Sequence, residues 1–195
     1  MNKVTVLVEG YAHPNEDGTY TASPTTTLVE SNDKKFLVDP GTNAEKLLNA
    51  LKVNNITDKD LDFIYLSHYH PDHFLNIRLF PNLDIYDGDI GWVGDKEIFT
   101  QGKLSGVDVE ILKTPGHATE DTSLLIKTDE GIVCICPDVF WWEDGKQKSD
   151  SLDDLLNLED PFANDKEALL ISRKLVLEKS DWIIPGHGKK FKVIK

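Results

Sequence analysis

Five of the six histidines in this 195-residue chain fall into one pattern: His68-Tyr69-His70-Pro71-Asp72-His73, then His117 and His187, with Asp138 between those last two. Each later member ends a short apolar run and sits beside proline or glycine, in Thr114-Pro115-Gly116-His117, Cys136-Pro137-Asp138 and Ile184-Pro185-Gly186-His187. Such contexts present ligands from strand ends on tight loops. In an extended segment alternate side chains point the same way, so His68 and His70 can meet a single cation. Pro71 turns the chain, and Asp72 and His73 can then face a second cation close to the first. The full set exceeds the four ligands that a tetrahedral ion takes. It suits a pair, with His68, His70 and His117 on one metal, Asp72, His73 and His187 on the other, and Asp138 between them. Nitrogen-rich ligands with carboxylates favour zinc, although iron or manganese can occupy similar sets. Two such ions lower the pKa of a shared water and clamp the attacking and leaving oxygens, so the expected chemistry is hydrolysis. One histidine near a turn would carry no such message; the agreement of motif and loop context does.

The elements that must position these residues are readable as a layered α/β chain. Val4–Val8, Thr26–Glu30 and Lys35–Asp39 read as successive strands rich in branched residues. The polar stretch from Gly10 to Pro24 lies between the first two and reads as a hairpin tip or flap. Asn43 is a candidate cap for a helix with Leu47, Leu48 and Leu51 on one face. Phe63–Leu66 is the next strand and delivers His68. Further strands are expected near Leu83–Tyr86, Val107–Lys113, Ser123–Lys127 and Ile132–Cys136. A helix then begins at Asn164 with Glu167 completing a capping box, and presents Ala168, Ile171, Leu175 and the stem of Lys179 on one face. Trp182–Ile184 delivers His187. Two strand-rich halves with outer helices make a four-layer αββα sandwich, expected to be one domain over residues 1–195, with no linker, repeat or low-complexity tract.

With its HxHxDH run followed by His117, Asp138 and His187, the sequence resembles the metallo-β-lactamase superfamily over nearly its whole length. Phe36-Leu37-Val38-Asp39-Pro40-Gly41 is similar to that family's strand ending in a structural aspartate, which implies that Asp39 orients the HxHxDH loop. The resemblance also implies the αββα fold and the metal ligands named above. Asn76–Pro81, Asp138-Val139-Phe140, the stretch from Asp160-Pro161-Phe162 to Leu177, and Pro185–Gly188 with Phe191 look like the small single-domain subgroup called metallo-β-lactamase domain-containing protein one. Other branches depart from this chain. The best-known zinc β-lactamases carry cysteine where Asp138 stands, so penicillin-type hydrolysis is not expected. Flavin-linked di-iron members carry glutamate in place of His70. Glyoxalase-II-like thioesterases add a helical domain after the last histidine, whereas Gly188 to Lys195 is all that follows His187 here. Substrate choice then falls to loops or to a neighbouring subunit in a homodimer.

Composition is that of a globular chain with room for a core: 39% apolar, 28% charged. No apolar run reaches the length of a membrane span and Met1-Asn2-Lys3 leads into a strand, so a cytoplasmic protein without membrane partners is expected. Cys134 and Cys136 lie two apart on one strand, about 7 Å from each other, which disfavours a disulfide. The formal charge of −13, from 34 acidic and 21 basic residues, argues against broad capture of nucleic acid. Lys189, Lys190, Lys192 and Lys195 nevertheless crowd the end of the chain beside His187, and the metals add local positive charge, so small-molecule and anionic substrates both stay open. Phe140, Trp141 and Trp142 directly follow Asp138 and are candidates for core packing or for an apolar wall beside the metals.

Three functions compete on this reading. The first is a dinuclear hydrolase in which a metal-bridging hydroxide attacks an ester, thioester, lactone or phosphodiester, with Asp72 handling the proton. A mononuclear iron thiol or persulfide dioxygenase would show iron and oxygen uptake with a thiol substrate. A non-catalytic, metal-stabilised interaction module would show no metal-dependent cleavage at all.

Overall fold

The computed structural model describes residues 1–194. Strand β1 (Lys3–Val8) leads into a hairpin of β2 (Tyr11–Pro14) and β3 (Tyr20–Ser23), then β4 (Thr26–Ser31), β5 (Lys34–Val38), helix α1 (Ala44–Val53) and β6 (Phe63–Tyr65). The one-turn helix α2 (Pro71–Phe74) precedes β7 (Asp84–Tyr86), β8 (Ile90–Val93) and β9 (Lys96–Phe99). The second half holds β10 (Glu110–Lys113), β11 (Thr122–Thr128), β12 (Gly131–Ile135), α3 (Leu152–Leu156), α4 (Lys166–Lys179), β13 (Trp182–Ile184) and β14 (Phe191–Lys192). Two main sheets result, ordered β1-β4-β5-β6-β7-β8-β9 and β10-β11-β12-β13-β14, and the β2–β3 hairpin stands apart from both.

Strand alternation explains why these sheets stack face to face under helices. On β5, Phe36 and Val38 point into a shared core with Leu124, Ile126, Val133, Ile135 and Ile184 of the other sheet. Leu37, one residue out of phase, faces Leu47 and Leu51 of α1 instead. On β12, Cys134 likewise turns away from Val133 and Ile135 to meet Leu169, Val176 and Leu177 of α4. Both cysteines are buried free thiols in that outer layer. The period of two thus gives each sheet two apolar faces, and the four-layer αββα sandwich buries both. Fully burying each such aliphatic side chain is worth about 1.5–3 kcal/mol before entropy is charged against it. Tyr65 ties the sheets together at the site end, its hydroxyl 2.7 Å from Thr122 Oγ1.

Several local expectations need correction. The cap of α4 is Asp165, whose carboxylate accepts the amides of Glu167 and Ala168, while Asn164 uses its own N–H on the His117 carbonyl. The buried face of α4 is Leu169, Ser172, Arg173, Val176 and Leu177, and Ile171 points to solvent. A serine and an arginine are tolerated there because Ser172 donates to the Pro115 carbonyl and Arg173 to those of Val139 and Leu158. Asn43 does cap α1, accepting from Lys46 N at 3.0 Å, but Leu48 is half exposed beside buried Leu47 and Leu51. Strand β10 starts at Glu110, not Val107, because Asp108 bonds to the Ser31 and Asn2 side chains in place of a ladder partner. The polar stretch after β1 is the expected hairpin. No helix among the described residues is long and apolar enough to cross a membrane.

Candidate metal centre

Every residue of the proposed ligand set stands at one end of the sandwich, at or just past a strand terminus. The stretch after β6 carries His68 and His70. His70 is the N-cap of α2, Pro71 fills its first position, and Asp72 and His73 lie within that turn. The β10–β11 turn carries His117, Asp138 follows β12, and His187 follows β13.

The arrangement is two groups sharing one carboxylate. His68, His70, His117 and Asp138 bring one ligand atom each to within 4.8 Å of one another, and so do Asp72, His73 and His187. Asp138 Oδ2 faces the first group, 3.1 Å from His117 Nε2 and 3.9 Å from His68 Nε2. Its Oδ1 faces the second, 3.4 Å from His73 Nε2 and 3.8 Å from His187 Nε2. Asp72 Oδ2 closes that group 3.4 Å from His187 Nε2.

Bracing contacts fix the rings. Asp39, held at φ 48°, accepts from Ser67 N at 2.9 Å and Ser67 Oγ at 2.7 Å, and its Oδ2 lies 2.8 Å from His73 Nδ1. Although Asp39, His68 and His73 also cluster, these bonds already engage both Asp39 oxygens, so its place is behind the ligands. Asp160 does for His117 what Asp39 does for His73, at 2.7 Å from Nδ1. His68 Nδ1 lies 2.9 Å from Ser67 Oγ and 3.3 Å from Asp121. His187 Nδ1 meets the carbonyl of Tyr11 at 3.0 Å. Each contact turns Nε2 of its ring toward Asp138, the usual way a ligating imidazole is aimed.

Two glycines are sterically required. A Cβ at Gly186 would stand 1.9 Å from Asp138 Oδ1, and one at Gly116, with φ 144°, would stand 2.3 Å from the Leu169 amide. The Pro-Gly pairs before His187 and His117 are thus close-approach positions as well as turns.

The electrostatics favour positive charge in the middle of this cluster. Burial opposes charge on His73, yet Asp138 and Asp39 outweigh it and raise its pKa well above the ordinary value. His117 is raised to about 10 by Asp138 and Asp160 against the same burial. Burial also works against ionised Asp138, but the surrounding imidazoles hold it well below the usual carboxylate range. His68 goes the other way, pushed well below its ordinary value by burial and then by the neighbouring imidazoles. Asp121 is raised to about 7, chiefly by burial. His68 Nε2, His73 Nε2 and Asp138 Oδ1 are buried with no hydrogen-bond partner among the described residues. Orphaned buried atoms of this kind are costly unless something else satisfies them, and divalent cations compete with protons for the same lone pairs. The donor set fits such ions.

A cavity of about 610 Å³ opens over this floor. His70, Asp72, His117, Asp138 and His187 line its base, and Tyr20, Ala22, Leu75, Trp141 and Phe162 form walls. Of the aromatic run after Asp138, Trp141 reaches the cavity, while Phe140 and Trp142 stack at 6.2 Å in the layer with Phe191. Tyr11 turns outward, its ring under Lys46 Nζ at 3.8 Å, and His13 pairs with Asp144 at 2.9 Å. Tyr69 bonds to Asp87. Among the terminal lysines, Lys190 pairs with Glu130 and lies 4.8 Å above the Trp182 ring, with Lys192 at 6.0 Å from the same ring. Lys195 lies outside the described residues.

Both the sequence and the fold are similar to those of known proteins. A family model described as the metallo-beta-lactamase superfamily matches residues 20–103. The chain is 30% identical over 205 residues to metallo-beta-lactamase domain-containing protein 1 of Xenopus laevis, covering 100% of this chain and 83% of that protein. It is 26% identical over 133 residues to exodeoxyribonuclease WalJ of Streptococcus pneumoniae, covering 54% of this chain and 49% of that one. A crystal structure of a putative metallo-beta-lactamase from Thermotoga maritima superimposes with a TM-score of 0.71 at 19% identity, covering 98% of this chain and 99% of the other.

Proposed function

The chain belongs to the metallo-beta-lactamase superfamily, and from that premise we propose that it is a metal-dependent hydrolase whose two ligand groups hold a pair of divalent cations. The observation that carries this reading is the Asp138 carboxylate, with one oxygen toward each group and one of them otherwise unsatisfied. His68, His70 and His117 hold one cation and Asp72, His73 and His187 the other. The nitrogen-rich set favours zinc, with iron and manganese as competitors. When bound, such a pair supplies a water of lowered pKa and a Lewis acid for the substrate oxygen.

The chain's own residues do the rest. Asp39 and Asp160 keep His73 and His117 in one orientation, so that little reorganisation is needed on binding. Asp72 is the one carboxylate of the set with appreciable exposure, 28% at its side chain against 6% for Asp138, and it lines the cavity. It is therefore placed to accept a proton on the substrate side and pass it to a leaving group. Esters, thioesters, lactones and phosphodiesters all suit this chemistry. A single-iron dioxygenase would leave the Asp72–His73–His187 group without a cation.

Metal analysis of the native protein, paired with a hydrolysis panel over those four bond types, tests the reading. Two equivalents of metal and cleavage abolished by chelation are expected. Hydrolysis and metal content both unaffected by Asp138→Ala would overturn it.

A further inference from the structure

The cavity walls narrow the substrate class. We infer that the site takes an uncharged carboxylic-acid derivative with an apolar acyl chain (an ester, thioester or lactone) and not a nucleic-acid phosphodiester; this rests on the hydrolase reading above. Among the described residues no lysine or arginine lines the cavity. Tyr20, Ala22, Leu75, Trp141 and Phe162 do, drawn from four separate stretches of chain. Phe162 is 60% and Leu75 41% exposed, and the Phe162 ring lies 5.7 Å from that of Trp141, so an open apolar surface continues from the metal floor to the rim. Walls of this kind with a few polar groups at the base are what a small apolar ligand needs.

A polyanion needs the opposite. Nucleic-acid grooves are lined with lysine and arginine that neutralise phosphates. The chain has two arginines, and Arg173 is buried on the Val139 and Leu158 carbonyls, while Arg78 does not line the cavity. Lys190 and Lys192 engage Trp182 and Lys189 faces the hollow beside Trp142, outside this cavity. Glu143 and Asp144 anchor the β2–β3 hairpin beside the wall, through Tyr20 and Ala12 respectively, and add negative charge there. The related exodeoxyribonuclease matches only half of this chain, and no lysine or arginine in this cavity offers phosphate a charge. In the proposed reaction water adds across the acyl C–O or C–S bond: its oxygen joins the carbonyl carbon and a proton leaves with the alcohol or thiol.

The test uses the purified full chain and two readouts. The first is metal-dependent hydrolysis of p-nitrophenyl acetate and octanoate beside bis-p-nitrophenyl phosphate and a single-stranded oligonucleotide. Burial of the longer chain should raise kcat/KM for octanoate over acetate by about tenfold or more, and both phosphate substrates should be slower still. The second is binding of octanamide followed by tryptophan fluorescence, which needs no turnover. Phe162→Ala should weaken octanamide binding about tenfold and Phe162→Leu much less, given the area removed. Faster cleavage of the phosphodiester or the oligonucleotide overturns the substrate class and leaves the hydrolase reading standing. Octanamide binding that is absent, or indifferent to Phe162→Ala, also overturns the class alone. Loss of all metal-dependent hydrolysis with octanamide binding intact overturns the hydrolase reading, and the acyl substrate with it.

Discussion

The two ligand groups are built differently behind the same shared aspartate. In the first, His117 is backed by the Asp160 carboxylate and His68 by Ser67 and Asp121, all within the body of the sandwich. In the second, His73 is backed by Asp39, but His187 leans on a backbone carbonyl of the β2–β3 hairpin, and Asp72 is partly open to the cavity. In the first group the braces on His68 and His117 are buried side chains, while half-buried His70 lines the cavity. The other is held partly by a hairpin that also supplies Tyr20 and Ala22 to the cavity wall. Each group is tied to the cavity wall by its own route: the second through the Tyr11 carbonyl of the hairpin, and the first through Asp160, whose Oδ1 accepts from Phe162 N at 2.9 Å.

Substitutions distinguish the two groups. The largest effect should come from the shared feature. Gly186→Ala forces a methyl into Asp138 Oδ1, and Asp138→Ala removes the carboxylate; each should cost both metals and at least ~10³-fold in kcat/KM, as loss of a whole ligand arrangement does. Metal analysis showing one equivalent lost and one kept would contradict equal sharing.

Next come the braces. Asp160→Asn should weaken the first metal by about 10–100-fold and Asp39→Asn the second by a similar factor. Competition titrations with a chelator would show which of two binding steps shifts in each variant, and the same step shifting in both would break the distinction. Smaller is the effect of freeing the hairpin. Asp144→Ala removes the bonds to the Ala12 amide and the His13 ring, and loss of these partly exposed contacts, about 1 kcal/mol together, should weaken the second metal only about fivefold. An equal shift in both steps would show that the hairpin supports the whole floor.

The smallest change is a control. Asp62 lies 2.7 Å from Lys34, on the seven-stranded sheet away from both groups. Partial burial works against its charge, yet Lys34 and the Lys35 amide hold its pKa below the ordinary value. Its folded value lies below the unfolded one, so the stabilisation exists above the unfolded pKa and fades as pH falls through the folded one. Asp62→Asn should cost no more than about 0.5 kcal/mol in denaturant melts at neutral pH, still less in acid, and leave both metal-binding steps unchanged.

The floor of the site is legible in the sequence because each ligand sits in its own proline or glycine turn after an apolar run. Asp39 is legible through the family motif around it. Asp160 and Asp121 are not, since a lone aspartate 43 residues beyond the histidine it braces leaves no periodic trace. Arg173 is hidden for a related reason: a helical wheel places arginine outward, and only the tertiary carbonyls of Val139 and Leu158 make its burial tolerable. Ile171 is the converse, an apolar residue left in solvent because α4 packs through the face that carries Leu169, Val176 and Leu177. The β8–β9 hairpin carried a usable signal in the two-residue Gly94-Asp95 turn. It was masked because β9 is exposed along its whole length and shows no alternation.

On the proposed function Asp138 stands between two cations. Anomalous diffraction at the metal absorption edge, from crystals of the native protein, tests it most directly. Two peaks are expected, one beside Asp138 Oδ2 among His68, His70 and His117, and one beside Oδ1 among Asp72, His73 and His187. A single peak at full occupancy within either group, under saturating metal, would rule out a shared Asp138.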